Sequence, residues 1–201
     1  MCWNAPVSYA SLAFGYIMMY LIWTRPSSAA YKKAYDYWNV LFIASFVSMQ
    51  LGEGLVHQGY NDIGRNIIFW CVIFQPISQC IGGAYFGGYT WLYYLAALCV
   101  STVPFLTIDN HIGYSKKGHL KWVIDAKTPW IYQLYATLYL LGMFVPLLLM
   151  TPLRKYILLP ITIALTHLFA LYNWFMDRSW SSMWCFMAAI YSVIAYYTNR
   201  R

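Results

Sequence analysis

Seven long runs of apolar residues, separated by short polar stretches, make up most of the chain. A helix needs about 20 mostly apolar residues to cross a bilayer. The runs are apolar on every face and do not alternate with a period of two, so they predict helices rather than the strands of a membrane β-barrel. The predicted spans cover residues 6–24, 38–58, 66–86, 89–108, 129–150, 156–176 and 180–198.

These runs leave no room for a separate soluble domain. We therefore predict one transmembrane domain over residues 1–201, an all-α polytopic membrane protein folded as a seven-transmembrane-helix bundle. Gly87-Gly88, between the third and fourth spans, indicates a tight helical hairpin, and Gly83 and Gly87 favour close packing. The one long loop, residues 109–128, has a centre typical of a short β-hairpin that turns near Lys117-Gly118.

Composition agrees with this prediction. Hydrophobic residues make up 61% of the chain and charged residues 9%, whereas soluble domains carry roughly 25% charged residues. The net charge of +7 is spread over short gaps and forms no continuous basic face. It therefore indicates membrane lipids with anionic headgroups as partners and argues against nucleic acid. Nothing in the sequence indicates an oligomeric state.

The basic residues also bear on orientation. The side of the bilayer that holds the C-terminus receives seven Lys and Arg residues, and the other side receives six. Four of those six lie in the long loop, and without them the comparison is seven against two. Because basic residues accumulate on the cytoplasmic side, we expect a cytoplasmic C-terminus and an N-terminus outside.

Polar residues within the second span are the first functional candidates, because polar side chains in lipid are costly. Gln50, Glu53 and His57 are spaced so that they share one helix face. Glu53 and His57 are four residues apart, close enough to touch. A carboxylate at this depth must be paired or protonated. Glu53 therefore predicts a functional site.

The third span carries Gln75 and Gln79 on one stripe that Pro76 interrupts. A proline inside a helix frees a carbonyl group, which then lines a cavity or meets a polar neighbour. Gln75 should lie at the depth of Glu53, so the two side chains can bond if their faces meet. An equally good interpretation is that Gln50, Gln75 and Gln79 only hold helices together.

Further candidates lie at the start of the chain and in the last two predicted spans. Counting crossings places Cys2, His57 and Trp184 near one membrane side, which predicts a polar pocket that opens toward the N-terminal face. Cys185 accompanies Trp184, and His167 lies near the middle of the sixth span.

Cofactor chemistry is sparsely indicated. No metal is expected, although Glu53, His57 and His167 are weak candidate ligands, and a hydrogen-bonded core histidine is the better interpretation of His167. The seventh predicted span has no lysine that could hold retinal as a Schiff base. The remaining cysteines, Cys71, Cys80 and Cys99, are expected to be small buried hydrophobes.

Three short motifs stand in order along the chain. They are Met1-Cys2-Trp3-Asn4-Ala5 with Ser8, Gln50-Leu51-Gly52-Glu53-Gly54, and Trp184-Cys185-Phe186-Met187-Ala188-Ala189. They resemble the Met-Cys-Phe/Trp-Ser-Ala start, the Gln-x-x-Glu-Gly and the Trp-Cys-Phe-x-Ala-Ala of an uncharacterised family of multi-pass membrane proteins. The chain departs from that family at Asn4, where the family has Ser. The resemblance implies the same fold and singles out Cys2, Glu53, Trp184 and Cys185, but it implies no activity.

Three functions fit these residues. The first is a small transporter or channel-like protein, in which Glu53, with His57 and Gln75, binds an ion or a proton, because burial favours the neutral form of a carboxylate. The second is an intramembrane enzyme acting on a lipid or other apolar substrate, with Glu53 as general base and, if Met1 is removed, Cys2 as nucleophile. The third is a non-catalytic membrane scaffold that uses its basic loop.

Overall fold

The protein is mostly helical wherever its structure is described. The computed structural model describes residues 4–26, 30–108, 113–114, 120–121, 124–150 and 190–197. Within them, the helices are α1 (Ala5–Thr24), α2 (Ala30–Val47), α3 (Met49–His57), α4 (Asn61–Gly87), α5 (Leu92–Thr102) and α6 (Pro129–Met150). Residues 190–197 are helical as well.

Four helical stretches of the described chain are long and apolar enough to cross a membrane: Ala5–Thr24, Lys33–His57, Asn61–Gly87 and Pro129–Met150. They overlap the first, second, third and fifth predicted spans and are compatible with a multi-pass membrane protein. The predicted span 156–176 and most of 180–198 lie outside the described residues, so the count of seven stays a prediction.

The fourth predicted span, residues 89–108, is wrong in its length. Its α-helix, α5, ends at Thr102 and is followed by a 3₁₀ turn, Val103–Phe105. Pro104 lacks the amide hydrogen that a continuing helix would use. The next residues form strand β1, Leu106–Ile108. The helix is therefore too short to count among the four spanning stretches.

The long loop forms antiparallel β-structure. Strands β2 (Gly113–Tyr114) and β3 (Leu120–Lys121) pair with Tyr114 opposite Leu120, which confirms a hairpin at the loop centre. Strand β1 pairs with β4, Ile124–Ala126. The predicted turn at Lys117-Gly118 lies outside the described residues. These strands are only two or three residues long, and the rest of the described chain is mostly helical, in agreement with the all-α prediction.

Helix α4 is the centre of the described bundle, since it packs against α2, α3, α5 and α6, while α1 packs against α2 and α3. The connection from α4 to α5 is as tight as Gly87-Gly88 predicts. Gly88 caps α4 in the left-handed conformation, with φ of 75°, which glycine adopts without steric cost.

Helices α3 and α4 come into backbone contact where two glycines face each other. A Cβ atom added at Gly52 would lie 2.7 Å from the carbonyl oxygen of Gly64, and one added at Gly64 would lie 2.5 Å from the carbonyl oxygen of Gly52. A side chain at either position would force the helices apart, as at other small-residue crossings in membranes.

We expect Gly64→Ala to destabilise the protein by about 1–3 kcal/mol, because the new methyl group meets rigid backbone. Gly82→Ala is the matched control. Its methyl group would meet side-chain carbons of Leu41 and Trp38 at 3.0 and 3.1 Å, and it shares the gain in helix propensity. Thermal unfolding of both variants in detergent checks the difference. Equal melting temperatures would contradict this account of the crossing.

Candidate functional site

Two members of the predicted second-span face are joined by a buried hydrogen bond. Gln50 Nε2 donates to Glu53 Oε2 at 2.9 Å, and the two residues are 1% and 0% exposed. Both belong to α3, which places residues three apart on one face. His57, in the last turn of the same helix, is half-buried. Glu53 is therefore a buried carboxylate, and the neutral Gln50 amide is one of its hydrogen-bond donors.

Gln75 links three helices. Its Oε1 accepts a hydrogen bond from Tyr139 of α6. Its Nε2 donates to the backbone oxygen of Ser45 in α2, at 3.3 Å, and to Met49 Sδ in α3, at 2.9 Å. The faces of α3 and α4 thus meet, but Gln75 bonds to residues other than Glu53. These contacts favour a packing role for Gln75.

Gln79, one helical turn later, differs from Gln75. It is 0% exposed, and among the described residues its Nε2 has a single contact, with Ser78 Oγ at 3.5 Å. Its Oε1 has no hydrogen-bond partner within the described part of the chain. The nearby indole of Trp38 donates to the backbone oxygen of Gln79, at 3.4 Å, rather than to its side chain.

A second buried carboxylate, absent from the predicted candidates, lies in the first half of α2. Asp36 forms an ion pair with Arg25, which follows α1, and their side chains are 2% and 10% exposed. Arg25 Nη1 also donates to the backbone oxygen of Tyr196 at 2.5 Å. The pair therefore joins the end of α1, the start of α2 and the helical segment 190–197.

The two carboxylates lie on one stripe. Residues spaced alternately three and four apart share a helix face, and this series runs through Asp36, Asn39, Ile43, Phe46, Gln50, Glu53 and His57. That spacing is the signal that would have found Asp36. The sequence prediction missed it because the second span was started at residue 38 and Arg25 was counted as a loop charge.

The stripe has polar ends and an apolar middle. At the Asp36 end, Asn39 Oδ1 accepts from the hydroxyl of Tyr191 at 2.6 Å. Ile43 and Phe46, which separate this polar group from Gln50 and Glu53, are both 0% exposed. At 1.5 Å per residue, Asp36 and Glu53 are about 25 Å apart along the helical path. Two polar groups thus flank a buried apolar layer.

At the Glu53 end, α1 crosses α3. Tyr9 packs so closely on Gly54 that a Cβ atom there would lie 2.7 Å from Tyr9 Cε1. The Tyr9 hydroxyl also donates to Gln58 Oε1 at 2.9 Å. Ser8, which precedes Tyr9, is 0% exposed, and its hydroxyl has no hydrogen-bond partner among the described residues.

The cysteines that the structure describes are packing residues. Cys80 and Cys99 are buried, with Sγ atoms 3.7 Å from the backbone oxygens of Gly142 and Leu138. Cys71 is partly buried. The prediction of small buried hydrophobes is confirmed for Cys80 and Cys99, whereas Cys71 is buried only in part.

Four predicted candidates lie outside the described residues: Cys2, His167, Trp184 and Cys185. Within the described ranges, no three His, Cys, Asp or Glu side chains come together as a metal-binding group.

The chain matches no family model, no curated protein and no solved structure.

We expect Asp36→Asn to lower the free energy of unfolding by roughly 3–5 kcal/mol, because it leaves the Arg25 cation buried without its counter-charge. The matched control is Asp62→Asn. Asp62 also pairs with an arginine, Arg65, but its side chain is 86% exposed, and exposed pairs contribute at most about 1 kcal/mol. Unfolding in detergent, followed by tryptophan fluorescence, measures both. If both variants lost the same free energy of unfolding, the Arg25–Asp36 pair would contribute no more than an exposed ion pair does.

Proposed function

We propose that the protein is a small membrane transporter or channel-like protein in which Glu53 is the ion- or proton-binding group. The observation that carries the proposal is a 0% exposed carboxylate, bonded to the Gln50 amide, inside a helical stretch long and apolar enough to cross a membrane. Ionisable residues in such positions are costly and are typical of ion and proton pathways.

The arrangement around Glu53 supports transport. A transporter needs a binding group and a barrier that stops free passage across the bilayer. The polar groups at the two ends of the α2–α3 stripe provide sites, and the buried Ile43 and Phe46 between them provide an apolar barrier. His57, half-buried one turn beyond Glu53, lies toward the end of the stripe that reaches the surface of the bundle. His57 is therefore the side chain that an entering ion would meet before Glu53.

The proposal includes seven spans, with the N-terminus outside and the C-terminus in the cytoplasm. The hydrogen bond from Arg25 to Tyr196 supports an odd number of crossings. It places the end of segment 190–197 beside the end of α1, and Asn4 lies at the other end of that 20-residue helix. We also propose that the chain is a member of the family with the Gln-x-x-Glu-Gly motif. Membrane lipids are its proposed partners.

We expect Glu53→Gln to reduce ion or proton flux in proteoliposomes to the level of empty liposomes. Glutamine keeps the shape of the side chain and can still accept the bond from Gln50, but it cannot ionise. A pH-sensitive dye inside the vesicles, together with radioactive sodium uptake, measures the flux. The melting temperature of the purified variant reports on folding.

Asp62→Asn is the matched control, since it makes the same chemical change at an exposed carboxylate, and its flux should equal that of the unaltered protein. Undiminished flux in a folded Glu53→Gln variant would exclude Glu53 as the transporting group.

A further inference from the structure

Three of the four long helical stretches in the described chain are interrupted within their length. The stretch Lys33–His57 is divided at Ser48, where α2 ends and α3 begins. There the amide of Leu51 donates to the carbonyl oxygen of Ser48, only three residues earlier, and such a tighter turn often marks a hinge. Helices α4 and α6 contain Pro76 and Pro146. A proline inside a helix removes one backbone bond and favours bending at that turn.

Side-chain contacts place the three interruptions at one level of the bundle. Gln75 donates to a backbone oxygen of α2 and to a side-chain sulfur of α3, so it lies beside their junction at Ser48. Pro76, the next residue, packs on α6, because a Cβ atom added at Gly142 would lie 2.6 Å from Pro76 Cβ. Gly142 is also where the interrupted turn of α6 begins. The weak turns of all three stretches therefore adjoin.

A thiol partly replaces the backbone bond that α6 lacks. In a regular helix the carbonyl oxygen of Gly142 would accept from residue 146, but Pro146 has no amide hydrogen. Instead, Cys80 Sγ donates to this oxygen at 3.7 Å, and a thiol is only a weak donor. The Leu138 oxygen, one turn earlier, accepts from Cys99 Sγ at the same distance, but it also has the helical amide of Gly142 as a donor.

This level divides the described bundle into two halves. One half holds Glu53, whose neighbour Gly52 packs on Gly64 in the first half of α4. The other half holds Asp36, and the indole of Trp38 bonds there to the second half of α4. We propose that α2–α3, α4 and α6 bend together at this level, so that the half with Glu53 tilts against the half with Asp36. This inference goes beyond the proposed function and does not require Glu53 to bind an ion.

Hydrogen–deuterium exchange of the full-length protein in detergent, followed by mass spectrometry, tests this joint hinge. Pro146→Ala supplies the missing amide hydrogen and restores the backbone bond to Gly142. The amides of residues 143–150 should then exchange about three- to tenfold more slowly, the factor that one net hydrogen bond gives. If the stretches bend together, the amides of residues 47–51 should slow as well, although they belong to another span.

Pro104→Ala is the matched control. It makes the same chemical change at an exposed proline in the 3₁₀ turn after α5, and exchange in both segments should stay as in the unaltered protein.

Cys80→Ala should have the opposite effect. It removes the donor to the Gly142 oxygen, so both segments should exchange faster, by about two- to threefold because a thiol bond is weak. Cys99→Ala is its matched control and should leave both rates unchanged, because the Leu138 oxygen keeps its helical donor. This pair of variants decides the test if the melting temperature shows that Pro146→Ala does not fold.

Three results would overturn the joint hinge. If Pro146→Ala slows residues 143–150 alone, α6 bends by itself. If a folded Pro146→Ala variant slows neither segment, the missing bond does not control bending. If Cys80→Ala and Cys99→Ala change the rates equally, the thiol of Cys80 does not hold the weak turn. None of these measurements uses ion flux, so the hinge and the transport proposal can fail separately.

Discussion

The close approach of α3 and α4 at Gly52 and Gly64 is the contact on which the interior of the bundle depends. Neither glycine has a side-chain carbon between the two backbones there. The short helix α3, which carries Glu53, therefore lies directly against the central helix α4. Gly54 leaves room for the ring of Tyr9 from α1, which packs against α3. A helix of nine residues is too short to be stable by itself. Its two glycines position the carboxylate by letting α1 and α4 pack closely against it.

Polar side chains in this interior serve two different purposes. Gln75 satisfies its amide with three bonds to three other helices, and the Arg25–Asp36 pair joins three segments of the chain. Such groups hold helices together in an environment that offers no water. Ser8 and Gln79, by contrast, keep buried oxygen atoms without partners in the described chain. Bonded polar groups therefore stabilise the bundle, whereas the burial of unbonded ones is unfavourable.

Local features of the fold were predictable from the sequence, and contacts between helices were not. Gln50 and Glu53 bond within one helix, so their spacing was enough to predict their shared face. The bond from Tyr139 to Gln75 depends on how α6 is rotated against α4, which hydropathy does not record. Asp36 looked like a loop residue because its charge is neutralised by Arg25 only after α1 and α2 have packed. The fourth span was predicted too long because hydropathy cannot distinguish the strand Leu106–Ile108 from a continuation of the helix.

The bond between Arg25 and Tyr196 has a consequence for biosynthesis. Arg25 and Asp36 emerge early from the ribosome, and they can pair as soon as the first two helices meet in the bilayer. The carbonyl oxygen that completes the coordination of Arg25 belongs to a residue 171 positions later in the chain. During translation the guanidinium group lacks this acceptor until the segment 190–197 has been synthesised. The first helical hairpin therefore reaches its mature structure only after Tyr196 has been synthesised and has packed beside Arg25.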